Sequence, residues 1–367
     1  MGKRELLIAV AFICLAAVVY QFTAPAPKEG EQGFSLRRAF DGLRREIRSE
    51  SARSEFTQTG TIPVGAGVQE IRLNSYRSVP VTIEGEDRTD IAYEMPVQST
   101  GPDAAAALAY AKRSIIEVED LGSQLALSTW FPPEGSQNAT LTLKVPARLA
   151  VRVDAAGRPK VRGVAAVRLN RISGELVVEN IRGAVTGTHL NGDLTVNNAG
   201  SVNLILISSR IKLNGIERGV TANVRGGECE VRESKGPLAI TANGTRLFVF
   251  GHDGAIDIDG ESGQIRVDRP LQPAHIDIRR ASVEVTLAAA TSMVVITTES
   301  HLQLNLEGTP AIFLDAAATG GKINAEDFSL APETSERSAR LKHEFGGKTA
   351  RVVLRNFRAD IVIARAK

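Results

Sequence analysis

Eight phrases of one shape recur along the second half of the chain: GELVV at 174, GDLTV at 192, SRIKL at 209, GECEV at 227, TRLFV at 245, GQIRV at 263, ASVEV at 281 and SHLQL at 300. Their spacing is 17 to 19 residues throughout. A constant period of this length marks a stacked architecture in which each unit leans on its neighbours. Every phrase carries two apolar residues separated by one mostly polar residue, the alternation of a strand with one buried face. Eighteen residues cannot hold a strand, a crossover helix and a return strand, so the units are not βαβ elements. They fit coils of a parallel β-solenoid, each about 4.8 Å above the last, with like side chains stacked in columns.

Two columns follow from the alignment: Leu176, Leu194, Ile211, Cys229, Leu247, Ile265, Val283, Leu302, and Val178, Val196, Leu213, Val231, Val249, Val267, Val285, Leu304. A companion strand half a repeat away pairs Val202 with Leu204, Val220 with Ala222, Leu238 with Ile240, Ile256 with Ile258, Ile276 with Ile278, Val294 with Ile296 and Ile312 with Leu314. Gly174, Gly192, Gly227 and Gly263 mark corners, with Ser209, Thr245, Ala281 and Ser300 at the equivalent places. Asn180, Asn197, Asn198 and Asn214 suit turns and stacked amide ladders. A β-sandwich of short antiparallel strands is the competing fold, but the similarity unit is two strands long.

The expected organisation has five parts. Residues 1–24 form a membrane anchor or signal sequence, with an apolar run from Leu6 to Tyr20 behind Lys3 and Arg4. Proline inside and after the cleavage candidate Ala24-Pro25-Ala26 favours an uncleaved anchor. Residues 25–55 are a linker and an amphipathic stalk helix with Leu36, Phe40, Leu43 and Ile47 on one face, lying on the membrane or packed on the domain. Residues 56–160 form an N-terminal β region that caps the solenoid. It contains a coil at 68–87, a strand around Asp90 to Val97, a short helix opening at Pro102-Asp103, and strands near 114–130 and 139–153. Residues 161–330 are the solenoid repeats, and 331–367 an insertion followed by a last coil with Val352, Leu354, Ile361 and Ile363. The bulk of the chain is expected outside the cytoplasm, periplasmic or at the cell surface.

The N-terminal anchor, the helix-bearing excursion, the sentence NATLTLKVPARLAVRVDAAG and the G-x-[LI]-x-V phrases together resemble the bacterial β-strand-repeat family of putative adhesins (domain of unknown function 4097), from about residue 60 onward. That resemblance implies a β-solenoid in a cell-envelope protein and brings no catalytic residues with it.

The chemistry-bearing residues are sparse. Lys plus Arg number 44 against 42 Asp plus Glu, without a basic block, which argues against nucleic acid. His189, His252, His275, His301 and His343 show no zinc spacing or paired nucleophile. Cys229 stands in an interior column, and its only conceivable partner, Cys14, lies in the anchor. The patch GHDGAIDIDGESG suggests calcium, with Asp257 and Asp259 outward and Asp277 expected beside Asp257, but it matches no EF-hand or glycine-aspartate nonapeptide. No metal and no cofactor is assigned. Asp257, Asp277 and Arg279 are the one set that a polysaccharide lyase or hydrolase reading would use.

Between the columns, Lys212 should neighbour Glu230, and Arg266 should neighbour Glu284. Phe248 and Phe250 point outward, flanked by Arg246 and Arg266, as a surface for a glycan or an envelope protein unless the stalk or C-terminal segment covers them. Trp130 is expected to plug the solenoid end. The reading is a non-enzymatic, membrane-anchored binding scaffold, with a carbohydrate-active β-helix enzyme and an envelope-stress regulatory module as alternatives.

Overall fold

A computed structural model describes residues 52–74, 79–154, 158–347 and 349–366. The expected anchor and nearly all of the stalk lie outside the described residues. Among those described, no helix is long and apolar enough to cross a membrane.

The repeats form a parallel stack. Strands β12 (Leu176–Ile216), β13 (Val220–Arg232), β14 (Leu238–Phe250), β15 (Ile256–Asp268) and β16 (Ala274–Leu287) pair in succession. Each coil bends at a left-handed residue, among them Gly226, Gly244, Ser262 and Arg280, with φ of 71°, 63°, 62° and 52°. The bend divides the strand into a first arm, such as 220–225, and a second arm, such as 227–232.

The residue after the bend has two chemical solutions. At Gly263 φ is 112°, and a Cβ would stand 2.1 Å from the Thr245 carbonyl oxygen, so only glycine fits without a shift. Where the position is Ser209, Thr245 or Ser300, the buried hydroxyl donates to the carbonyl two residues back, at 3.0, 3.1 and 2.9 Å. The hydroxyl is thereby satisfied inside the stack.

Both expected columns are interior. Ile211, Cys229, Leu247, Ile265 and Val283 lie in register one above another, and all are fully buried. Burying one such aliphatic side chain contributes roughly 1.5–3 kcal/mol, offset by the ordering of its coil, so neighbouring coils stabilise one another. A third interior column, absent from the sequence reading, holds Ile181, Ala199, Ile216, Ser234 and His252 at the second corner. One rung of the amide ladder is present, with Asn198 Nδ2 donating to Asn180 Oδ1 at 3.1 Å.

The companion strand departs from expectation after β15. Ile256 lies over Ala274 and Ile258 over Ile276, so Ile276 takes the second inward place rather than the first. In β17 (Met293–Thr298) the inward residues are Met293 and Val295, while Val294 and Ile296 face outward. Residues 293 to 296 are apolar without a break, so alternation alone cannot set the phase. The coil-to-coil interval sets it instead: Ala274 lies under Met293, 19 residues on, where Ile256 lies under Ala274, 18 residues on.

The stacking order also differs from the chain order at both ends. Strands β17 and β18 (His301–Leu306) do not pair with β19 (Ile312–Thr319). Strands β23 (Ala350–Phe357) and β24 (Ile361–Arg365) intervene: Val352 lies over Met293, Ile361 over Leu302, and Leu314 follows on the far side of Val352. β22 (Ser338–Phe345) then runs antiparallel along the outer edge of β19. A buried Asp315 on β19 faces Arg355, Arg340 and Arg351 at 3.1, 3.6 and 3.4 Å. Burial raises the Asp315 carboxyl, and the hydrogen bond and charge of Arg355, with the other two arginines, more than reverse this and leave it below the usual range.

At the N-terminal end, β2 (Glu70–Asn74) is held between β6 (Gln124–Trp130) and β9 (Ala150–Val153). In the same way β3 (Val81–Glu86) is held between β8 (Leu141–Pro146) and β10 (Lys160–Arg162). β6 and β8, from the excursion, thus lie on the outer side of β2 and β3. The N-terminal β region also includes β1 (Ala52–Pro63) antiparallel to β4 (Asp90–Gly101), and helix α1 (Ala104–Arg113). The Asp103 carboxylate caps α1 by accepting from the Ala106 amide at 2.8 Å. Trp130 is not a plug: its ring is exposed, and the neighbouring Phe131 is the buried aromatic.

Candidate functional site

The second arms present one continuous outer face. Inward Leu247 and Val249 force Phe248 and Phe250 outward, and both rings remain partly exposed. The rings stack with centroids 6.2 Å apart and planes 9° from parallel. The Arg232 guanidinium sits 4.7 Å over the Phe250 centroid, which fixes that ring from the preceding coil. Arg246 is exposed and stands 3.5 Å from Glu228. Arg266 lies directly opposite Phe248 on the next coil and reaches Glu284 at 4.0 Å. The structure thus brings together the four residues expected to form a surface, Phe248, Phe250, Arg246 and Arg266. The expected Lys212–Glu230 neighbours are in register, but Glu230 is engaged by Arg232.

One coil beyond the aromatic pair, the face opens into a polar cleft of about 630 Å³ that the sequence reading missed. Arg266 and Glu284 form its near wall, Gln303 and Asn305 its floor, and Glu307 and Arg365 its far side. The floor is knit together: Gln303 Nε2 donates to Asn305 Oδ1, and Asn305 Nδ2 to Glu284 Oε1, each at 2.9 Å. Arg269 closes an edge with Glu307 at 2.7 Å. Arg365 is held by its backbone amide on Asp327 Oδ2 at 3.0 Å and by its guanidinium 5.2 Å over the Phe328 ring. Because Arg365 comes from the interleaved last coil, the repeat alignment carried no sign of it.

The other candidates fall elsewhere. Asp257 lies opposite His275, and Asp277 opposite Asp259 rather than Asp257; Arg279 lies opposite Glu261. The set Asp257, Asp277 and Arg279 is therefore split between positions. Cys229 is fully buried, and burial followed by the Glu230 charge pushes its thiol up to about 12. Among the described residues there are two Ser–His pairs, His189 Nδ1 with Ser209 Oγ and His252 Nδ1 with Ser234 Oγ, each at 2.8 Å. All four side chains are sealed in the core, and burial lowers the pKa of both imidazoles. His343 packs edge-on against Phe345 at 4.5 Å.

No protein-family model matches the chain, and no curated protein does. Solved structures with detectable similarity include a putative cell adhesion protein from Clostridium sporogenes, 9% identical over 86% of this chain and 100% of that one, at a TM-score of 0.20. A putative adhesin from Bacteroides fragilis is 10% identical over 85% of this chain and 98% of its own, at 0.20. A putative adhesin from Parabacteroides distasonis is 12% identical over 85% and 97%, at 0.23. Likeness at these scores carries no argument about this chain's function.

Proposed function

We propose that this protein is a non-enzymatic binding scaffold of the cell envelope, anchored through residues 1–24, with its bulk outside the cytoplasm and its second-arm face turned to a glycan ligand. The observation that carries the reading is the continuity of the Phe248–Phe250 pair with the polar cleft on one rigid face. Sugar rings offer an apolar face for an aromatic side chain and a rim of hydroxyls for paired donors and acceptors. Here the arginines, carboxylates and amides supply both kinds of partner. The lining alternates in sign, which suits a neutral chain better than a polyanion. The Ser–His pairs contribute nothing to catalysis on this reading, because no substrate reaches them.

An oligosaccharide panel tested for both binding and cleavage decides the matter. Binding that falls at least fivefold in Phe248→Ala and in Gln303→Ala, with no product released, supports the proposal. Binding indifferent to both substitutions overturns the placement of the site, and product release overturns the non-enzymatic reading.

A further inference from the structure

The first-arm face of β15 and β16 carries a second, separate constellation. The parallel register sets Asp257 opposite His275 and Asp259 opposite Asp277. Donor atoms of Asp257, Asp259 and His275 all lie within 4.8 Å of one another, and all three side chains are exposed. Like charges directly opposite on neighbouring strands are destabilising. Elsewhere on the same two coils acids are answered by arginines, Glu261 by Arg280 and Glu284 by Arg266. Among the described residues no arginine or lysine forms an ion pair with Asp257, Asp259 or Asp277.

We propose that Asp257, Asp259 and His275 bind a divalent first-row transition-metal ion, of which zinc is the representative. The donor set selects the metal: one imidazole and two carboxylates suit zinc, whereas calcium takes six to eight oxygens and no imidazole. The geometry is within reach. Zinc holds its donors at about 2.0–2.2 Å, so two donors at the tetrahedral angle stand about 3.3–3.6 Å apart. The spread on the face, within 4.8 Å, exceeds this by at most about 1.5 Å, which rotations of the exposed side chains close, while the strand ladder holds their Cα atoms fixed. Three protein donors leave a tetrahedral ion one position open to solvent. A second feature gives that position a use: His275 also lines a mostly apolar cleft of about 520 Å³ with Pro273, Met293, Val294 and Val353. A ligand donor on the metal would have an apolar shelf beside it for the remainder of the molecule.

The test is calorimetric titration of zinc chloride into the full chain after chelator treatment. The expected result is one equivalent bound, at least tenfold weaker in His275→Ala and in Asp259→Asn, and unchanged in His301→Ala, whose imidazole lies on the other face. A zinc-dependent rise in unfolding temperature that Asp259→Asn abolishes is the second expected readout. Absence of saturable zinc binding overturns the proposal. So does affinity that survives both substitutions, or binding of calcium in preference to zinc.

Discussion

The phase of β17 is testable by a matched pair of substitutions, Val295→Ala and Val294→Ala. Val295 is fully buried between Ile276 and Leu354, whereas Val294 lies between His275 and Val353 on the outer face and is 36% exposed. Truncating valine to alanine removes two methylene equivalents. At about 0.8 kcal/mol each, the transfer loss at Val295 is about 1.6 kcal/mol, and the cavity left in a closed stack brings it to about 2–3 kcal/mol. At Val294 only the covered part of the side chain counts and the space opens to water, so the loss is about 1 kcal/mol or less. Urea unfolding followed by far-UV circular dichroism measures both, with an unchanged m value showing that the same surface is exposed in each variant. Equal losses, or a greater loss at Val294, would refute the register of this strand and the interior assigned to the last coils.

Further outcomes follow from other parts of the molecule. With its thiol pushed up to about 12, Cys229 is thiolate in only about one molecule in ten thousand at pH 8, against about a quarter for an ordinary thiol. Alkylation should therefore track unfolding, and rapid modification of native protein would contradict the burial. Gly263→Ala puts a Cβ against the Thr245 carbonyl at φ 112° and should cost about 2 kcal/mol or more by the same urea assay. His189 and His252 have folded pKa values lowered by burial, so the unfolded chain binds protons first. Stability should be complete above about pH 6.5 and decline as the pH falls below it, by up to about 1.4 kcal/mol per pH unit for each histidine. Thermal unfolding between pH 7 and 5 measures this, and His252→Leu should flatten the decline.

The columns were legible because a strand repeats its chemistry every second residue and a coil about every eighteenth. Leu194, Ile211 and Cys229 therefore had to share a line once the coils stacked. The helix at 104–113 was legible from its aspartate cap and alanine run. The column through Ser234 and His252 was not, because its members share a place and not a residue type. Val294 and Ile296 were mis-phased because an unbroken apolar run offers two equally good alternations. Periodicity also says which residues share a column but not the order of the layers, and that hid the intercalated coils. For the site, alternation was enough to turn Phe248 and Phe250 outward. The cleft beside them needed Arg365, nearly a hundred residues away in sequence from its Arg266 wall. The His275–Asp257 juxtaposition needed the register that the Asp277 pairing had misjudged by one position on that face.

The intercalation of residues 350–365 constrains assembly in time. During synthesis the layer of 293–306 emerges with one face ready to pair, and the layer of 312–324 follows with nothing yet to rest on. Until the intervening segment leaves the ribosome, two apolar edges wait about 10 Å apart with a gap one strand-layer thick between them. A product halted before residue 350 would thus not be a shorter rod but one with an open notch near its end, and that notch is where a chaperone, a protease or another copy's loose strand would first take hold.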